Sequence, residues 1–244
     1  MELLEGERLD DLQRGGLKII QKRVGFRFGT DAVLLADFAC PKPGDLVADF
    51  GTGTGILPLL MAARQPRSQF DALEIQEDMA DMAARSVRLN GLEHRIRVHC
   101  ADLALAPQLL GRQKYNLVVC NPPYGRVGTV LLSEHPGERT ARHEGACTLE
   151  SIAQSAAALL RFGGRAAFIY PAPRALELMR ALSEQGLEPK RIRTVHAFAG
   201  RAPKLILLDA VKGAGSMLHW MEPLILSEAD GTPTAEWKRI YGLE

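Results

Sequence analysis

No run of apolar residues in this 244-residue chain approaches the ~20 that a membrane-crossing helix needs. Its four cysteines, Cys40, Cys100, Cys120 and Cys147, stand at least 20 residues apart. That spacing excludes CxxC pairs of the zinc or redox kind, and the expectation is buried or half-buried thiols in a reducing compartment. The six histidines (94, 99, 135, 143, 196 and 219) form no HxxxH and have no cysteine partners, so no metal site is expected. Neither sign of charge dominates: 30 Lys and Arg face 29 Asp and Glu, a net charge of +1, which neither supports nor excludes a nucleic-acid partner. There are no internal repeats and no low-complexity tract. The N-terminal MELLEGERLDDLQRGG is acidic and lacks the apolar core of a signal peptide. A cytoplasmic protein of ordinary globular composition is expected, long enough to bury a large core without staples.

What is present is an alternation of short apolar runs and amphipathic stretches. Strands are expected at 45–50, 69–75, 96–102, 115–121, 165–170, 194–198 and 204–211. Helices are expected at 56–64, 78–90, 149–160 and 173–185, with Pro58 in a first turn and Gly91 and Gly186 as stops. Strands separated by such helices make βαβ units and a mostly parallel sheet. The last two strands, joined by a short connection, suggest one antiparallel edge strand. Residues 1–43 lie outside this alternation and read as an N-terminal flap packed on a main domain at 44–244. That flap holds an apolar helix from Ala32 to Ala39 that Thr30 or Asp31 could cap.

Between the first strand and first helix of that domain lies Asp49-Phe50-Gly51-Thr52-Gly53-Thr54-Gly55. Glycines allow a tight turn and let a ligand approach the backbone at the sheet edge where open α/β folds bind. Ile56 stands where the third glycine of a dinucleotide fingerprint belongs, and no GK[ST] follows, so phosphate ligands are disfavoured. Glu74 ends the second strand, 23 residues past Gly51, close to the spacing at which an acid meets ribose hydroxyls. Asp102 ends the third. Loop and acids in this order favour an adenosine-containing ligand.

The set resembles the class I S-adenosylmethionine-dependent methyltransferases, in which an acid precedes GxGxG and further acids end strands two and three. The resemblance implies a doubly wound, Rossmann-like sheet of seven strands with the last antiparallel. It implies S-adenosylmethionine as cofactor. Asp49, Gly51, Thr52, Gly53 and Gly55 would then surround the cofactor's amino-acid portion, Glu74 its ribose and Asp102 its adenine amine, with Thr30 and Asn121 completing the contacts.

After the fourth strand comes Asn121-Pro122-Pro123-Tyr124. Two prolines fix φ and remove two backbone donors, so the carbonyls there are stiffly aimed. Among class I methyltransferases this motif marks enzymes that methylate an exocyclic or amide nitrogen. By that resemblance Asn121, Pro122 and Tyr124 are the catalytic candidates, with Asn121 and Pro122 accepting the two N–H groups and Tyr124 stacking on a flipped base. The phrases GFRFGTDAVLLADF (25–38), VADFGTGTGILPLLMA and NPPYGR, with Arg142-His143-Glu144 and LLDAVKG, resemble the tRNA adenine-methyltransferase family that modifies the base 3′ of the anticodon of valine tRNA. That resemblance implies a tRNA partner and N6 methylation. An rRNA guanine-amino or release-factor glutamine-amide methyltransferase, or a non-catalytic module binding cofactor or RNA, are the alternatives. A monomer is expected. Six basic residues between Lys190 and Lys212 (Lys190, Arg191, Arg193, Arg201, Lys204 and Lys212), with Arg126, Arg139 and Arg142, are candidates for phosphate contacts. Trp220 and Trp237 are expected to pack.

Overall fold

The computed structural model describes residues 3–24, 29–122 and 148–243. An antiparallel hairpin, β1 (Glu7–Asp11) and β2 (Lys18–Lys22), comes first, then α1 (Thr30–Ala39). The alternation follows: β3 (Leu46–Phe50), α2 (Ile56–Arg64), β4 (Gln69–Glu74), α3 (Glu77–Leu89), β5 (Ile96–Cys100), α4 (Ala106–Leu109), β6 (Tyr115–Cys120), α5 (Leu149–Leu159), β7 (Leu160–Pro171), α6 (Ala175–Glu184), β8 (Leu187–Phe198) and β9 (Leu205–Lys212). Two short strands, β10 (His219–Trp220) and β11 (Leu224–Ser227), and helix α7 (Ala235–Tyr241) close the described chain.

The strands from β3 onward form one nine-stranded sheet in the order β10-β8-β9-β7-β6-β3-β4-β5, with β11 also pairing with β8. Successive residues of each central strand face opposite layers. Val47, Leu117 and Ala167 join the core beneath α1 and α2, whereas Ala48, Val118 and Phe168 join the core beneath α5 and α6. Burial on both faces explains why these strands read as unbroken apolar runs.

Three expectations about the sheet and the start of α1 need correction. The antiparallel strand is not at an edge: β9 inserts between β7 and β8 and runs against both. The sheet has nine strands rather than seven, because β10 and β11 add to β8 in parallel. Neither Thr30 nor Asp31 caps α1, whose cap position is Gly29 with no side-chain hydrogen bond. The N-terminal segment is anchored in two places. A buried ion pair between Glu7 and Arg85 and the bond from Ile20 N–H to Ser86 Oγ (2.9 Å) hold the hairpin to α3. Meanwhile α1 shares the core of β3 and α2. The thiols divide: Cys120 is buried, as expected, but Cys40 and Cys100 are exposed. Cys147 lies outside the described residues. Trp237 packs against Tyr241 with ring centroids 4.3 Å apart, whereas Trp220 is 63% exposed. Among the described residues no helix is long and apolar enough to cross a membrane, and no group of three or more His, Cys, Asp or Glu side chains could hold a metal.

Candidate functional site

Register aligns the carboxyl ends of four strands. Phe50 pairs with Leu73 and with Cys120, and Glu74 pairs with Cys100. The residues that leave these strands, Gly51, Ile75, Ala101 and Asn121, therefore share one sheet edge. β3 lies between β4 and β6, so the chain winds away from it in both directions, and the edge at this reversal is where open α/β sheets bind ligands.

The glycine loop is pinned to the neighbouring strand. The N–H groups of Gly51 and Thr52 both donate to Leu73 O at 2.9 Å. Glu74 is nearly buried (6% exposed); its Oε2 accepts from Gly53 N–H at 2.8 Å and its Oε1 from Gln76 N–H at 3.0 Å. Each carboxylate oxygen can accept a second bond, so Glu74 shapes the loop and keeps acceptor capacity for a diol. Gly55 has φ +89°, and a Cβ there would lie 3.3 Å from Ala83 Cβ, so the loop also needs glycine where α2 meets α3.

Asp49 is the anomaly of the site. It is fully buried, and among the described residues neither carboxylate oxygen has a hydrogen-bond partner; Thr52 Oγ1 beside it is likewise buried without one there. Burial pushes its pKa up to about 7, only partly opposed by Thr52 and reinforced by the charge of Glu74. Buried acceptors without partners are rare in folded proteins, and such a carboxylate fits a ligand that brings positive charge or N–H donors. At the next strand, Asp102 Oδ1 accepts from Ala104 N–H at 2.8 Å and caps a short 3₁₀ turn, Leu103–Leu105; its other oxygen has no partner among the described residues. Asn121 is half-buried and Pro122 buried immediately after β6. Thr30 opens α1, with its hydroxyl 3.4 Å from that of Tyr241. Tyr124 and the arginines at 126, 139 and 142 lie outside the described residues.

Asp49, Glu74, Asp102 and Asn121 thus share the sheet edge that the glycine loop occupies. Ile75, expected as the last residue of the strand 69–75, lies one residue past the end of β4 and is 49% exposed at this edge; the signal for it is an apolar residue directly after an acidic strand end. The basic cluster behaves otherwise. Arg191 pairs with Asp209 and lies over the Phe38 ring, Arg193 pairs with Glu236, and Lys190 and Lys212 donate to backbone carbonyls of 215, 216, 157 and 160. Arg191 shares the row of Asp49 and Arg193 lies one residue past the row of Cys120, but their charges are taken up by these pairs, and all four residues serve the fold.

The strand order, the glycine loop and the acidic strand ends define a Rossmann-like class I methyltransferase. The overall shape agrees with the crystal structure of a predicted O-methyltransferase from Agrobacterium tumefaciens (TM-score 0.71, 24% identity, 87% of this chain and 96% of that one). It also agrees with the Thermus thermophilus 16S rRNA N2 G1207 methyltransferase solved with AdoMet and guanosine (TM-score 0.61, 18% identity, 87% of this chain and 52% of that one). Residues 27–184 match the methyltransferase small domain, and the chain belongs to that family. Relatives include the tRNA1(Val) (adenine(37)-N6)-methyltransferases of Tolumonas auensis, 31% identical over 78% of each chain, and of Porphyromonas gingivalis, 30% identical over 91% of this chain and 89% of that one. The chain is accordingly a methyltransferase with S-adenosylmethionine as its methyl donor. The unpartnered Asp49 carboxylate, beside a loop of positive-φ glycines, suits a ligand that carries a cationic amino-acid group.

Proposed function

We propose that this protein methylates the N6 amino group of an adenine in tRNA, at the position beside the anticodon of a valine tRNA. The observation that carries the proposal is the pairing of Phe50 with Cys120, which sets Asn121-Pro122 next to the glycine loop. The two relatives, similar over most of their length, support the choice of base and RNA.

In this reading Asp49 and the loop 51–55 hold the amino-acid portion of the cofactor, Glu74 the ribose diol and Asp102 the adenine amine. Ile75 gives the adenine an apolar face, and Thr30 lies at the rim. Bound there, the cofactor supplies an electrophilic methyl on a sulfonium. The adenine amine is a weak nucleophile because its lone pair is delocalised into the ring. The Asn121 side-chain oxygen and the Pro122 carbonyl each accept one of its N–H groups. These bonds strengthen as positive charge develops on nitrogen, so they lower the barrier more than they stabilise the bound substrate. They also aim the lone pair along the line of attack. With that methyl supplied, the amine nitrogen would form the new N–C bond while the C–S bonding pair stays on sulfur, and the acidic ammonium would lose its proton to water without a dedicated base. Tyr124 stacks on the base lifted from its strand.

The test is transfer of labelled methyl to tRNA, rRNA and release factor from cells lacking the gene, with nucleoside mass analysis. N6-methyladenosine in valine tRNA is the expected product. Label in guanine of rRNA or in protein, with none in tRNA, would replace this reading. Asn121→Ala should lower single-turnover transfer by roughly 10²–10³, the cost of a lost transition-state hydrogen bond, while cofactor affinity changes little. Near-normal transfer would withdraw Asn121 from the chemistry.

A further inference from the structure

Strand polarity divides the six basic residues of 190–212. β8 runs toward the cofactor edge and β9 runs back from it. The connection between them, Ala199–Lys204, therefore lies at that edge, while Lys190 and Lys212 lie at the other end. Arg201 and Lys204 are exposed and have no side-chain partner among the described residues, unlike the other four. Phe198, which ends β8 just before them, is 40% exposed.

The tip is also held in shape. His196 bridges it, with Nδ1 2.6 Å from Arg201 O and Nε2 2.9 Å from Thr194 Oγ1. Because the carbonyl can only accept, Nδ1 carries the proton, and a neutral ring then accepts from the Thr194 hydroxyl at Nε2. Lys204 N–H donates to Val195 O at 2.9 Å, and Ala172 N–H to Lys204 O at 3.0 Å, tying the connection to the end of β7. Two unpaired cations and a ring on a braced turn make a preorganised contact for a single nucleic-acid strand, with the cations on phosphate and the ring against a base. β6 is two strands from β9 and three from β8, about 10–14 Å sideways at ordinary strand spacing, and the register sets Lys204 and Phe198 about four and six rows past Cys120, so the tip stands on the order of 20 Å from the end of β6. A single strand covers that distance in a few nucleotides.

We propose that the tip formed by Phe198, Arg201 and Lys204 binds the RNA backbone flanking the target base. The proposal rests on the tRNA reading above and adds where the RNA lies. It is tested with unmodified valine tRNA, comparing R201S/K204S with K42S/R67S. The second pair removes two exposed charges of the same sign at the opposite sheet edge, before β3 and β4, where neither side chain has a partner among the described residues. Cofactor binding, measured by calorimetry, should be unchanged in both. The slope of log affinity against log salt should fall in magnitude by about 1.4 for R201S/K204S, the loss expected for two phosphate contacts on a single strand, and stay at the wild-type value for K42S/R67S. F198S should weaken tRNA binding without changing that slope. An unchanged slope for R201S/K204S, or an equal fall in both pairs, overturns the proposal while leaving tRNA methylation standing. A wild-type protein that binds cofactor but does not methylate tRNA overturns the proposed function itself.

Discussion

Burial with no hydrogen-bond partner among the described residues leaves Asp49 poised between charge states. In an unfolded chain it titrates near pH 4; in the fold, burial first, then Glu74, raises it to about 7 against the pull of Thr52. Between those values the folded state holds the proton that the unfolded state has released. The stability tied to that proton is full below about pH 4 and is lost as pH rises through 7. The shift corresponds to several kcal/mol at most, on the order of 1.4 per unit. Asp49→Asn removes the buried charge. It should melt higher than wild type at pH 8, with the gap narrowing by pH 5, while cofactor affinity drops at both. A melting difference that ignores pH would mean that Asp49 is not the titrating group. Glu74 tests a different property. Glu74→Gln leaves one oxygen for two backbone donors, so either Gly53 or Gln76 N–H faces an amide N–H instead. Cofactor affinity should fall by roughly 1.5–3 kcal/mol, about tenfold or more, which calorimetric titration would read directly. Spacing after the glycine loop marked Glu74, and the methyltransferase resemblance Asp49, as candidate cofactor contacts. Neither could reveal that one is satisfied by the loop and the other is left bare, because that depends on the register between β3 and β4.

At the scale of elements, the parallel strands and their helices could be read because their local signals agree. α2 starts and stops where its apolar run does, with Pro58 in the first turn, and Gly91 ends α3 with φ +64°. β8 was half hidden. Its first residues, LEPKRIR, combine a proline with charges, which argues against a strand interior. The structure accommodates Pro189 at a register shift between Pro189 and Arg191, and gives the arginines partners that the sequence does not show. The junction of α2 with α3 makes a sharp test. Gly55→Val would force a branched side chain to φ +89° and against Ala83. A loss of about 1–3 kcal/mol is expected, seen as a lower urea midpoint with an unchanged slope. An unaltered midpoint would mean that the loop relaxes freely and that glycine is not required there.

At the scale of the whole molecule, one buried carboxylate joins parts distant in the chain. Asp209, 1% exposed on β9, pairs with Arg165 of β7 (3.1 Å) and with Arg191 of β8. Arg165 also donates to the Ala39 and Cys40 carbonyls that end α1. The inserted antiparallel strand, both its neighbours and the N-terminal helix thus meet at one charge. Asp209→Ala would leave two guanidiniums facing each other and should cost about 3–5 kcal/mol, measurable as a lower midpoint of chemical denaturation. A change below about 1 kcal/mol would show that the guanidiniums find water instead.

The sequence by itself determined the alternation of strands and helices, the glycine turn and the acids and asparagine at strand ends, because each is fixed by neighbours within a few residues. Apolar period, proline and glycine carry that information locally. Only the tertiary structure decided that β9 enters the sheet between β7 and β8, that β10 and β11 extend its edge, and which basic residues are free. A 204–211 strand has the same apolar pattern at an edge as between two neighbours. Lys190 and Lys204 look alike in a sequence, and strand direction alone separates the lysine that ties down a loop from the one left exposed beside the cofactor edge.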